Sequence, residues 1–423
     1  MSADLAAARA ADAADPLALQ REAFALPEGV VYLDGNSLGA LPRATAVRVQ
    51  EVVQREWGDG LIRSWNSAHW VDLPRRIGAK VAGLIGAAAH EVVCADSTSI
   101  NLFKVLAAAL RLQSARPQVS TAGRHIILSE SGNFPTDLYV AQGVAHWLGS
   151  RHVLKLVEPS DLGAAIDDHV AVVYLTHVNF KSGAMHELAS LTQRAHDAGA
   201  LVLWDLSHSA GAVPVDLTSA QADFAVGCGY KYLNGGPGAP AFVYAAERHL
   251  AALSTERFAQ PLAGWFGHRT PFEFVTEFTP AESIDRFTVG TPSIIALAAL
   301  EVGVDTVLAA GMPALRAKSI ALTDRFIARV DALCEGLKLL SPRDAERRGS
   351  QVCYSHPQAY AVTQALIERG VIGDFREPDV LRFGFAPLYL RHIDVETAAT
   401  TLADVLSSGV WLAERYRLRA AVT

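Results

Sequence analysis

Residues 201–240, LVLWDLSHSAGAVPVDLTSAQADFAVGCGYKYLNGGPGAP, decide the fold, because two apolar runs here lead into charged side chains. The run 201–204 leads into Asp205, and the run 224–226 is followed by Lys231, 26 residues after Asp205. Open parallel sheets present ligand-binding groups at the C-terminal ends of their strands. Residues 234–238, NGGPG, can turn tightly and let the backbone approach a ligand. The stretch therefore predicts an acid and a lysine at one edge of a parallel sheet.

An acid and a lysine in this arrangement are the two groups with which proteins hold and tune pyridoxal phosphate (PLP). The lysine amine binds the cofactor covalently, and the acid pairs with its pyridine nitrogen. Taken alone, Asp205 could cap a helix and Lys231 could be a solvated loop charge. The chain has seven lysines, and the nearest rival, Lys181, precedes Asp205 and lacks the glycine-rich turn. The combination predicts that Asp205 and Lys231 form a PLP site.

The order of predicted elements indicates an α/β fold with a second, smaller domain. Strands and helices alternate between residues 91 and 205, which is typical of a mostly parallel central sheet. From residue 338 the pattern changes to α+β. We expect an N-terminal segment (1–60) that joins the small domain, a large PLP-binding domain (61–312) and a C-terminal small domain (313–423). The alanine-rich residues 1–15 are expected to be frayed.

Two further features suggest sites for anions. Ser97 and Thr98 stand where the strand 91–95 passes into a helix, and hydroxyls at a helix N-terminus make an anion site, although they can also be a plain cap. Arg382 lies inside an otherwise apolar strand, so it needs an anionic partner. That partner is either an internal carboxylate in a salt bridge or the carboxylate of a substrate.

The chain resembles the fold-type-I PLP enzymes (aminotransferase class V-like), and within them the kynureninase family. The likeness extends from about residue 20 to about residue 410. It rests on Asp205-x-x-His208, Gly229-Tyr230-Lys231, YLDGNSLG (32–39), DSTSINLFK (96–104), NFPTD (133–137), LTHVNFKSG (175–183), GWFGH (264–268) and GTPSI (290–294).

The resemblance implies hydrolytic Cβ–Cγ cleavage of L-kynurenine to L-alanine and anthranilate in tryptophan catabolism. The choice between kynurenine and 3-hydroxykynurenine, which would give 3-hydroxyanthranilate, stays open. The implied catalytic residues are Lys231, Tyr230 and Asp205, with Tyr230 as the candidate general acid/base. The implied cofactor-binding residues also include Ser97, Thr98, Phe134, Pro135, Thr136, Asp137, Thr176, His208, Trp265 and Thr291. Arg382, Trp65 and Ser37 are the implied substrate-binding residues.

The resemblance also implies a homodimer with active sites shared across the interface. The residues that match Trp265 and Thr291 reach the partner's cofactor phosphate in that family. Thr291 stands where some members have Asn, so its contact is the less secure of the two. The aromatic segment 255–293 is consistent with an interface.

Two alternative functions remain open. A cysteine desulfurase or selenocysteine lyase would need a thiol on a mobile loop, whereas Cys353 lies in a strand-like run and is interpreted as a packed hydrophobe. A non-catalytic PLP-binding sensor is the other alternative, although no appended DNA-binding segment is visible.

The composition of the chain limits which partners it is expected to bind and the compartment in which it is expected to occur. The net charge of −7 without a large basic cluster argues against nucleic acid. Four cysteines without a CxxC pair favour reduced thiols in a cytoplasm, and no apolar stretch is long enough for a membrane helix. His177 and His186 match no metal-ligand spacing, so no metal site is expected.

Overall fold

The computed structural model describes residues 3–115 and 123–419. Its α-helices are α1 (Ala3–Ala13), α2 (Arg43–Glu51), α3 (Ser64–Ser67), α4 (Leu73–Leu84), α5 (Thr98–Ala115), α6 (Pro135–Trp147), α7 (Leu162–Ala165), α8 (Leu188–Asp197), α9 (Glu247–Leu253), α10 (Ile294–Ala310), α11 (Met312–Leu333), α12 (Ala359–Glu368) and α13 (His392–Ser408). Its strands are β1 (Val31–Tyr32), β2 (Val92–Cys94), β3 (Ile126–Glu130), β4 (Val153–Val157), β5 (Val170–Thr176), β6 (Leu201–Asp205), β7 (Phe224–Gly227), β8 (Phe242–Ala245), β9 (Lys338–Leu339), β10 (Gln351–Ser355), β11 (Val371–Ile372), β12 (Asp374–Arg376) and β13 (Val380–Gly384).

A seven-stranded sheet in the order β2-β8-β7-β6-β5-β3-β4 forms the centre of the larger part. The pairs from β7 to β4 are parallel, and β8 runs antiparallel to both of its neighbours. Every residue of β5, β6 and β7 is buried, which is why these strands are continuous apolar runs. The predicted α/β fold with a mostly parallel sheet is confirmed.

The strand register brings the site residues to one edge of this sheet. Thr176, the last residue of β5, lies opposite Asp205, the last residue of β6. Asp205 in turn lies opposite Val226 of β7, and Lys231 follows β7 by a short turn. The C-terminal ends of three neighbouring strands therefore converge on one place.

The C-terminal part contains a four-stranded antiparallel sheet in the order β12-β13-β10-β9. The N-terminal strand β1 pairs in parallel with β11, so residues from the start of the chain pack with this part. The chain bends between α10 and α11 at Gly311, which has a φ of 76°. The expected division at residues 60 and 312 stays a prediction.

For the described residues 3–15, the expectation of a frayed terminus is wrong, because α1 is a helix. Alanine is the strongest helix former, and the helix is fixed by contacts at its end. The carboxylate of Asp12 accepts hydrogen bonds from the backbone N–H groups of His392 (2.6 Å) and Ile393 (3.1 Å) at the start of α13. The carboxylate of Asp15 pairs with Lys318 at 2.7 Å.

No single helix within residues 3–115 and 123–419 has the length and apolar character needed to cross a membrane. The helices α10 and α11 meet that requirement only together, and the pair is bent by 82°.

Candidate active site

Lys231 lies in a cluster formed by His208 and two aromatic rings. Its Nζ is 3.0 Å from His208 Nε2, 5.9 Å from the centre of the Phe134 ring and 5.8 Å from the centre of the Tyr230 ring. Burial, and then the charge of Lys231, hold the pKa of His208 well below its ordinary value. A neutral imidazole can accept a hydrogen bond from the lysine amine, so His208 orients the Lys231 amine.

Gly39 joins the N-terminal motif YLDGNSLG to the lysine turn. Its backbone N–H donates to the carbonyl oxygen of Tyr230 at 2.8 Å. A Cβ at this position would lie 2.4 Å from the carbonyl oxygen of Lys231, so only glycine permits the close approach. The N-terminal loop therefore packs directly on the turn that carries Lys231.

Asp137 and Asp205 form a buried carboxylate pair at the same sheet edge. Thr176 Oγ1 lies 3.2 Å from Asp137 Oδ2, and the backbone N–H of Ser207 donates to Asp205 Oδ1 at 2.7 Å. Burial, and then the charge of Asp205, raise the pKa of Asp137 well above its ordinary value, and burial raises the pKa of Asp205. Both carboxylates are therefore protonated more readily here than in water.

A cavity of about 290 Å³ lies at the start of α5 and is lined by several of the predicted cofactor-binding residues, including Tyr230, which precedes Lys231 in the chain. Ser97, Thr98, Tyr230 and Thr291 line it. Thr98 Oγ1 is buried and has no hydrogen-bond partner among the described residues. Hydroxyl groups and a helix N-terminus suit a phosphate, so this cavity, Lys231 and Asp205 together fit PLP.

Tyr230 is suited to donating a hydrogen bond. Burial is the main cause that raises the pKa of its hydroxyl above the ordinary value. The phenol therefore keeps its proton at neutral pH. This fits the acid half of the general acid/base role implied by the sequence.

Phe134 lies at the start of α6, in front of Pro135 and Thr136 in the first turn. Its ring meets the Phe180 ring edge-on, with 5.1 Å between the centres. Its backbone N–H donates to Asn133 Oδ1 at 2.7 Å, and that oxygen also accepts from Thr176 Oγ1.

Asn133 and Phe180 both support Phe134, and the sequence reasoning did not single them out. They lie in the quoted motifs NFPTD and LTHVNFKSG, where their position beside other site residues was the available signal.

Arg382 makes the internal salt bridge that was one of its two predicted partnerships. Its Nε donates to Asp374 Oδ1 at 2.7 Å, its Nη2 also donates to Asp374, and its Nη1 donates to the carbonyl oxygen of Phe180 at 2.9 Å. Ser37 Oγ accepts from Arg382 Nη2 at 2.6 Å and donates to Asp374 Oδ2 at 2.8 Å. Asp374 therefore occupies the side of the guanidinium formed by Nε and Nη2. The outer face, formed by Nη1 and Nη2, is contacted by Ser37 at Nη2.

Trp65 and Trp265 lie in a separate aromatic cluster. The centre of the Trp65 ring is 6.5 Å from Trp265 and 6.2 Å from Phe266. Phe266 also lines the cavity at the start of α5, so the cluster borders that cavity. Among the described residues, its ring contacts do not extend to Phe134 or Lys231.

Cys353 is fully buried in β10, and burial raises the pKa of its thiol to about 12. Reactive thiols need a lowered pKa and access to solvent. Cys353 therefore lacks both features that a desulfurase nucleophile needs.

Solved structures with the same fold include PLP enzymes that act on sulfur compounds. The chain matches the apo structure of a cysteine desulfurase from Thermococcus onnurineus NA1 with a TM-score of 0.75 and 23% identity, covering 92% of this chain and 97% of that one. It also matches a C-DES mutant with glycine covalently linked to the PLP cofactor, with a TM-score of 0.75 and 17% identity, covering 91% and 99%. Identities this low support the fold alone.

Sequence comparisons distinguish between the families that share this fold. Residues 315–402 match the family model described as the kynureninase C-terminal domain. The chain is 55% identical to a kynureninase of Burkholderia mallei (strain SAVP1), covering 98% of this chain and 99% of the relative. It is 51% identical to a kynureninase of Pseudomonas fluorescens, covering 98% of both. The resemblance seen in the motifs is confirmed, and the chain belongs to the kynureninase family.

Proposed function

We propose that this chain is a PLP-dependent hydrolase that cleaves the Cβ–Cγ bond of L-kynurenine in tryptophan catabolism. Water adds to the γ-carbonyl carbon, and the products are L-alanine and anthranilate. The observation that carries the proposal is the convergence of Asp205, Lys231 and the hydroxyl-lined cavity at one sheet edge, in a chain of this family.

Each residue of the site has a separate role in such a reaction. Bound PLP supplies an electron sink for the substrate's α carbon. Lys231 Nζ holds the cofactor and moves the α proton, while His208 accepts a hydrogen bond from that amine. Asp205, at the end of β6, would be the partner for a protonated pyridine nitrogen. Tyr230 keeps its proton and donates to an oxygen on the reacting molecule.

Arg382 is proposed to bind the substrate's α-carboxylate through the outer face of its guanidinium. Asp374 holds the guanidinium side-on, which fixes the direction of that outer face. Ser37 Oγ lies 2.6 Å from Arg382 Nη2, where a carboxylate oxygen could accept the same hydrogen bond. Carboxylate binding would therefore displace the Ser37 hydroxyl or share the guanidinium with it.

A homodimer with shared sites is proposed for the assembly. The aromatic cluster around Trp65 and Trp265 continues into Phe272 and Phe274, which are 55% and 74% exposed. Apolar surface of this kind usually marks an interface, and an isologous contact would offer each site its partner's Trp265. Thr291 lines the cavity of its own chain, so its expected contact across the interface is the weaker part of the proposal. A cytoplasmic location is proposed from the unpaired cysteines, all four of which are free.

Hybrid dimers test the shared site. A Lys231→Ala chain and a Trp265→Ala chain are each expected to be inactive or crippled. Mixing them should restore activity, because one site of a hybrid dimer contains both native residues. A fully active monomer, or no recovery despite proven subunit exchange, contradicts the shared-site proposal.

The function itself is tested by assaying cleavage of both kynurenine and 3-hydroxykynurenine by the PLP-loaded protein. We expect release of alanine and the matching anthranilate, with Lys231→Ala as the inactive control. The ratio of the two rates identifies the preferred substrate. Bound PLP without turnover of either compound would favour a sensor, and sulfide release from cysteine would favour a desulfurase.

A further inference from the structure

Lys104 is a charged residue in the middle of α5 whose side chain is completely buried. Its Nζ donates to Asp96 Oδ2 at 2.8 Å and to the carbonyl oxygen of Phe287. A lysine is rarely buried to this degree unless its charge is paired. Neither its charge nor its two contacts are used in the reaction described above.

The carboxylate of Asp96 is an unexpected group in a site that would bind an anion. It lines the cavity together with Ser97 and Thr98, and its side chain remains 31% exposed. The described residues that line this cavity include no lysine and no arginine. A free carboxylate in that wall would repel a phosphate, since like charges at short range in a protein interior are poorly screened.

The two contacts of Lys104 belong to two different segments that line the cavity or adjoin its lining. Asp96 belongs to the wall at the start of α5, where it has a φ of 50° and its carbonyl oxygen accepts from the N–H of Ala241 at 2.8 Å. Phe287 directly precedes a second lining segment, residues 288–293. One buried amine therefore connects the two segments.

We propose that Lys104 is a positioning residue for the cofactor phosphate. It neutralises Asp96, holds that carboxylate in a hydrogen bond, and connects the lining segment at Asp96 to the lining segment that follows Phe287. The inference rests on the proposed PLP site. It adds the prediction that Lys104 controls the phosphate-dependent part of cofactor affinity.

The test compares PLP with pyridoxal, which lacks the phosphate, in titrations of the apoprotein. Lys104→Met should raise the Kd for PLP about tenfold or more, because it leaves a carboxylate unpaired, while the Kd for pyridoxal changes less than about threefold. Adding Asp96→Asn to that variant should bring the Kd for PLP back to within about threefold of the wild type. Lys80→Met removes a lysine from a different ion-pair cluster, with Glu301 and Asp305, and should leave the ratio of the two Kd values unchanged.

Equal losses for the two ligands, or no recovery in the double variant, would overturn the proposal. If Lys104→Met does not fold, the same two titrations of Asp96→Asn alone test the proposal. It should keep or increase affinity for PLP, and a loss selective for PLP over pyridoxal would overturn the proposal. Failure of the wild type to bind PLP at all would instead overturn the proposed cofactor.

Discussion

Replacing Asp374 with asparagine should lower the stability of the protein by about 3 kcal/mol, because it breaks a buried ion pair at one end. The side chains of Asp374 and Arg382 are each only 2% exposed. Removing one partner of such a pair typically costs about 3 to 5 kcal/mol, since the other charge is left in the interior. Asparagine keeps one oxygen that can accept from Arg382, which places the expected cost at the lower end of that range.

The expected change in Tm is small because the chain is long. An unfolding entropy of about 2.1 cal/mol/K per residue gives roughly 0.9 kcal/mol/K for the whole chain, so about 3 kcal/mol corresponds to about 3 °C. Calorimetry of the wild type and Asp374→Asn at a saturating and equal PLP concentration measures this difference, because ligand concentration also shifts Tm.

Glu282→Gln is the matched control. Glu282 pairs with Arg269 at 2.7 Å, but the two side chains are 68% and 53% exposed, and exposed pairs of this kind contribute little. If Asp374→Asn changes Tm by less than about 1 °C, as little as the control does, the variant does not leave the charge of Arg382 unpaired in the interior, and the argument is refuted.

Three further outcomes are expected. Asp205→Asn should reduce kcat far more than it weakens PLP binding, because the phosphate contacts remain; near-normal turnover would remove Asp205 from its role. Cys353→Ala should retain kynurenine cleavage, since the thiol is buried, and a large loss of kcat in a folded variant would argue against this. Burial would raise the pKa of Asp223, but hydrogen bonds from His196 and His249 outweigh it and lower that pKa. The ionised Asp223 therefore stabilises the fold above its unfolded pKa of about 4, and this contribution is lost as the pH falls through the folded pKa. Asp223→Asn should therefore lower stability at pH 7 and make it less dependent on pH below about 4, which acid titrations of unfolding would measure.

The central sheet and the main site residues were predictable because they depend on local patterns. The apolar run 201–204 that leads into Asp205 forms the strand β6, as expected. An apolar run that ends in an acid is a pattern contained within a few residues. The turn that carries Lys231 was indicated by the glycines in residues 234–238.

Features that depend on distant partners were not predictable. The sequence left two partners open for Arg382, and the structure supplies Asp374 because β12 places it directly opposite Arg382 on β13. The three-residue strand β12 has no pattern of its own to reveal it. The helix α1 was missed for the same reason, since Asp12 acts on the far end of the chain.

The pairing of β1 with β11 sets an order of events during synthesis. Val31 lies beside Val371, so the first strand meets its partner only after 340 further residues have been made. At about 5 to 20 residues per second, that interval is roughly 20 to 70 seconds. The central sheet contains only strands that precede residue 246, so it can assemble in that time, whereas β1 must wait with its hydrogen-bonding edge open. The N-terminal strand therefore reaches its native position only after the central sheet has been synthesised.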